Sequence, residues 1–210
     1  ITDASGQLSF GDAPITSANE GTVLGRTSSG TGSVELVKAP IVLTSGTVSN
    51  TSSLNIDLSS WYTNYDVIEI IIMSIRPATD GTELRMRLSS DGSSYDAGSG
   101  HYKWSYSFSG DVAGGSYAAS SSETFMKIGT GFSNATARSC NLKLTLTNPA
   151  SSTFNPLIMG DAVRINDDGS IVRSSFGGTR NNAQVTRGIQ FLFSSGNIST
   201  ASYKVIGIKN

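Results

Sequence analysis

The feature that most constrains this chain is a side-chain period of two that recurs along most of its length, broken at short intervals by Gly, Asp, Asn, Ser and Pro. In "TELRMRL" Leu84, Met86 and Leu88 alternate with Glu83, Arg85 and Arg87, and in "NLKLTLT" Leu142, Leu144 and Leu146 alternate with Lys143 and Thr145. Alternation of this kind puts one set of side chains on a core and the other in solvent, which is the pattern of a half-buried strand. No window keeps the 3.6-residue spacing of a helix over three turns. Only "SYAASSSETF", residues 116–125, reads as compatible with a helical turn.

Further strands are expected at "IVLT", "SLNIDL", "YDVIEIIIMSI", "HYKWSYSF", "ETFMKIG", "NPLIMGDAVRI", "SIVRSSF", "GIQFLFS" and "SYKVIGIK". "YDVIEIIIMSI" is apolar on both faces and is expected at the centre of a sheet. "RPATDGTELRMRL" reads as a hairpin around a Pro/Asp/Gly turn. About ten strands separated by turn signals argue for an all-β domain, an antiparallel sandwich or jelly roll. Its limits are set at residues 41–210, behind an arm of residues 1–40 that has no sustained periodicity and ends at Pro40. The arm is read as docked on something larger or as a free tail.

Composition narrows the partners. Net charge is −1 over 210 residues, and no Lys/Arg cluster interleaves with aromatics, so neither nucleic acid nor an acidic membrane surface is an expected partner. The longest apolar run, residues 67–75, is interrupted by Glu69 and is too short to span a bilayer. The single cysteine, Cys140, rules out an intrachain disulfide and a cysteine-built zinc site. The chain opens on Ile1, which reads as the start of a processed or longer product.

Candidate chemistry is sparse. His101 is the sole histidine, and no G-x-S-x-G elbow accompanies it, so nucleophilic catalysis is not expected. Asp80, Asp91, Asp96, Asp161, Asp167 and Asp168 could in principle supply a glycosidase pair or a calcium site. The contexts "TDGT", "SDGS" and "DDGS" favour a simpler role, with Asp capping a turn and Gly taking positive φ. In "HYKWSYSF" the aromatics Tyr102, Trp104, Tyr106 and Phe108 share one face. That face is either the sandwich core, the preferred reading, or an exposed platform for sugar stacking. Trp61 is expected as a core plug. No catalytic residue, metal or cofactor is assigned.

The stretch "GTVLGRTSSGTGSVELV" resembles a segment of virion structural proteins of tailed bacteriophages: an L-G-R, a Ser/Thr/Gly run, then Gly-x-x-Glu-Leu. The matching residues are Leu24, Gly25, Arg26, Gly30, Gly32, Glu35 and Leu36. "IRPATDGTELRMRLSSDGSSYDAGSGHYKW" and "RGIQFLFSSGNISTASYKVIGIKN" are similar to parts of such proteins as well. The resemblance implies a homo-oligomer, most often a trimer, located in the virion, with the N-terminal segment attaching to the particle or intertwining and the β domain facing outward. Tail fibre, head fibre and capsid decoration remain open. A low-charge arm buries little area alone, but three copies about an axis would bury more, with Leu24, Val34 and Leu36 inward and Arg26 paired with Glu35.

The leading expectation is therefore a non-enzymatic fibre-type protein whose β sandwich contacts other virion proteins and host surface glycan. The candidate glycan loops are residues 91–100, 111–122 and 177–182, with Asp91, Tyr95, Asp96, His101, Tyr117, Arg180, Asn181 and Asn182 as contacts. The alternatives are a capsid cement protein, a carbohydrate-binding module and a glycan-degrading enzyme.

Overall fold

The computed structural model describes residues 40–111 and 114–209 and, in the arm, the backbone of four short strands. Among the described residues the chain is all β, with no helix. In the arm, β1 (Ser9–Phe10) pairs with β2 (Ala13–Pro14), and β3 (Thr22–Gly25) pairs with β4 (Glu35–Lys38). Twelve antiparallel strands follow in two sheets.

The larger sheet has the order β10-β9-β14-β13-β12-β7-β16-β5. Its strands are β5 (Ile41–Thr51), β7 (Val67–Pro77), β9 (Tyr102–Gly110), β10 (Ser116–Glu123), β12 (Cys140–Thr147), β13 (Leu157–Ile165), β14 (Ile171–Arg180) and β16 (Ile198–Ile208). The smaller sheet has the order β11-β8-β15-β6, with β6 (Leu54–Asp57), β8 (Thr82–Ser89), β11 (Met126–Phe132) and β15 (Gly188–Phe193).

The two sheets close on one core because the period-two residues of both point inward. Ile68, Ile70, Ile72, Leu142, Leu144 and Leu146 come from the larger sheet, and Leu84, Met86, Leu88, Ile128, Ile189 and Phe191 from the smaller. The aromatic row of β9 belongs to this core: Tyr102, Trp104 and Tyr106 are buried, and Phe108 packs against them. Trp61 lies partly buried against the same cluster, as its expected role as a plug requires.

β7 is central, as its two-sided apolar sequence predicts, between β12 and β16. Its alternation changes phase at Ser74, which adopts φ 55° and interrupts the register with β12. This bulge returns Ile75 to the core, and Asn141 Oδ1 accepts a hydrogen bond from the displaced Ser74 N–H at 2.8 Å.

Two expectations are corrected. "RPATDGTELRMRL" is not a hairpin, because β7 pairs with β12 and β16 while β8 pairs with β11 and β15. The Asp-Gly turn carries the chain from one sheet to the other, so both strands keep their alternation but face each other across the core. "SYAASSSETF" forms no helical turn; its residues 116–123 are strand β10, paired with β9 at the sheet edge. A run of small hydroxyl residues has little helix preference of its own and accepts the ladder that β9 offers.

Candidate functional site

The three Asp-Gly sites are turns, as read from their contexts: Gly81, Gly92 and Gly169 have φ of 69°, 90° and 90°. The carboxylates of Asp91 and Asp168 are committed within their own turns, and that of Asp80 to a distant loop. Asp80 Oδ1 accepts from the Asn134 N–H at 2.8 Å. Asp91 Oδ1 accepts from the N–H of Ser94 at 2.7 Å and Ser93 at 2.8 Å and from the Ser89 hydroxyl at 2.8 Å. The Ser94 N–H, then the Ser93 N–H, hold its carboxyl well below the usual carboxylate range. Asp168 takes the Ser170 hydroxyl at 2.6 Å and the Ser170 N–H at 2.8 Å, and these lower its pKa. Among the described residues no three His, Cys, Asp or Glu side chains gather to hold a metal ion.

Several expected glycan contacts converge at one end of the sandwich, where residues 90–101 meet residues 181–187. Arg180 is fully buried there and donates to Asp96 Oδ2 at 2.9 Å and to the carbonyls of Gln184 at 2.7 Å and Val185 at 2.9 Å. Asn181 bonds to the loop on both sides, its side-chain amide to the Gly100 carbonyl and its backbone N–H to the His101 carbonyl. The Tyr102 hydroxyl accepts from the Leu88 N–H at 2.8 Å and donates to the Asp96 carbonyl at 3.0 Å. Burial pushes this phenol up to about 12. Tyr95 is half-buried, and burial, then the charges of Asp57 and Asp91, raise its pKa. His101 is also half-buried, with its ring edge-on to Tyr102; Asn182 is exposed. Asp96, Arg180 and Asn181 are thus brought together as a fastening between two loops.

Tyr117 is placed elsewhere, on the outer face of the larger sheet, and is 82% exposed. Seven large apolar side chains are exposed among the described residues: Val42, Tyr117, Phe154, Leu157, Met159, Val163 and Ile171. All except Phe154 lie on strands whose registers put them on this one outer face. The face also carries the solvent half of the larger sheet's alternations: Ser105, Ser107 and Ser109 on β9, Arg173 and Ser175 on β14, Asp161 on β13 and Lys143 on β12.

One transverse row runs across it, Tyr117 beside Ser107, then Ser175, Asp161, Lys143, Ile71, Lys204 and Ser45. Two shallow depressions of about 290 and 260 Å³ meet along this row and share Ser107 and Ser175. Sequence reasoning placed Tyr117 in a loop and gave the serines no role. The serine alternation in "HYKWSYSFS" reads as the polar half of a half-buried strand, and the structure places these serines on the solvent face.

Of the expected oligomerisation residues, Arg26 and Val34 lie outside the described residues. The backbones of Leu24 and Leu36 are register partners, as are those of Gly25 and Glu35. Geometry defines the described part as an all-β, two-sheet antiparallel sandwich with one broad outer sheet face. Comparison of the chain with protein-family models, curated proteins and solved structures finds no match.

Proposed function

We propose that the chain is a non-enzymatic structural component of a tailed-bacteriophage virion, a fibre-type protein that trimerises through its N-terminal arm and turns its β sandwich to the host surface glycan. The observation that carries this reading is that, among the described residues, six of the seven exposed large apolar side chains lie on one sheet face. Monomeric proteins rarely keep such a face without a partner, since each exposed apolar group forgoes burial. The commitment of Asp91 and Asp168 to their own turns and of Asp80 to the Asn134 N–H supports binding over hydrolysis, because a glycosidase needs two free facing carboxyls. The antiparallel backbone pairing of β3 with β4 supports an arm with a ribbon of its own.

Native mass measurement of the full chain, together with its location in purified particles and adsorption to host cells, tests the reading. A trimer that sits on the particle and adsorbs to cells is the expected result. Arg26→Ala with Glu35→Ala is expected to lower the oligomeric state and leave the far-UV spectrum of the sandwich unchanged. The same apolar face would suit a capsid surface, so a particle-bound chain that adsorbs to no host cell supports capsid decoration instead.

A further inference from the structure

We propose that the Tyr117–Ser107–Ser175–Asp161 row on the outer sheet face is a binding site for neutral oligosaccharide. This rests on the surface-binding reading above and gives it a site on the sheet, where the sequence pointed to the loops. Three properties carry the assignment.

First, Tyr117 offers an aromatic face at 82% exposure, with no hydrogen bond to its hydroxyl among the described residues. The C–H face of a pyranose is the apolar surface that packs on such a ring while its hydroxyls remain free to bond.

Second, the hydroxyls of Ser105, Ser107 and Ser109 have no hydrogen-bond partner among the described residues, and each both donates and accepts. Asp161 Oδ1 already holds the Ser175 hydroxyl at 2.6 Å and faces Arg173 Nη2 at 3.8 Å. The Asp161 carboxylate accepts from one sugar hydroxyl while the Arg173 guanidinium beside it donates to the next. The pair is charge-balanced, which fits a neutral sugar and gives an acidic one no net attraction.

Third, the shape is open along the row. Strands lie about 4.8 Å apart, so Tyr117 and Asp161, three strands apart, span about 14 Å, longer than a single sugar ring. Gly177, beside Ser105 in the adjacent row, keeps the floor low. A Cβ built there meets only the Ile158 carbonyl, at 3.4 Å, so a side chain would stand in the depression without disturbing the core.

The test uses the full chain. Wild type, Tyr117→Ala and Gly177→Val are applied to an array of neutral and acidic oligosaccharides, and the best neutral binder is titrated with amide chemical shifts recorded. Expected are shifts confined to β9, β10, β13 and β14, and at least about tenfold weaker binding in each variant at an unchanged unfolding midpoint. Binding that survives both variants, an acidic-only preference, or no binding to any neutral sugar overturns the site. The outcomes separate from those for the fibre reading: a particle-located trimer that binds no neutral sugar ends this inference alone. A sugar-binding monomer absent from particles ends the fibre reading alone.

Discussion

Arg180 and Asp96 form an ion pair of 2.9 Å in which the guanidinium is fully buried and the carboxylate a quarter exposed. The pair ties the end of β14 to the loop that precedes β9, and the guanidinium also donates to two backbone carbonyls. Asp96→Asn leaves the buried cation without a counter-charge and is expected to cost about 3 kcal/mol in urea unfolding. Arg180→Met combined with Asp96→Asn should cost less than the sum of the two single changes. Additive losses would show that the ion pair itself is not the fastening.

Glu83 is held between two cations, with Lys127 Nζ 2.7 Å from Oε1 and Arg85 Nη2 2.7 Å from Oε2. Burial alone would raise its pKa, but Lys127 and then Arg85 outweigh that and lower it. A lowered folded-state pKa gives stability that is present above the unfolded carboxylate value and lost as pH falls through the folded one. The urea midpoint should therefore drop on acidification from pH 7, and Glu83→Gln should remove part of that drop. An identical pH profile in the variant would refute the role.

Cys140 is 1% exposed on the inner side of β12, and burial pushes its thiol up to about 12. Since the thiolate is the nucleophile, the native protein should resist a thiol reagent at pH 8 and react fully once unfolded in urea. Rapid native labelling would mean that the end of β12 opens.

Ser74 adopts φ 55° at the bulge of β7, a conformation that β-branched residues tolerate poorly. Ser74→Val is expected to lower stability by about 1–2 kcal/mol, and Ser74→Gly to be far better tolerated. Calorimetry of the two variants checks the order.

Much of the architecture is legible in local sequence because a strand's two faces are written in its own alternation. "NLKLTLT" delivers Leu142, Leu144 and Leu146 to the core and Lys143 and Thr145 to solvent, as its spelling predicts. The Asp-Gly turns are legible for a similar reason, since Gly81, Gly92 and Gly169 need no tertiary contact to take positive φ.

Strand neighbours are a different matter. Alternation says which way a side chain points but not what lies beside it, so the Asp-Gly link after β7 read as a hairpin when it is a crossing between sheets. The bulge at Ser74 is hidden for the same cause: its phase change is defined only against β12 and β16.

By itself, then, the sequence determined a chain of amphipathic strands and capped turns, because both rest on the geometry of a few consecutive residues. Only the tertiary structure decided that Tyr117, Ser107, Ser175 and Asp161, up to 68 positions apart in the chain from Ser107 to Ser175, stand side by side in one row. Register between strands is a non-local choice. It is fixed where the inner faces of both sheets must satisfy one shared core, and the outer row is the consequence of how the inner one packs.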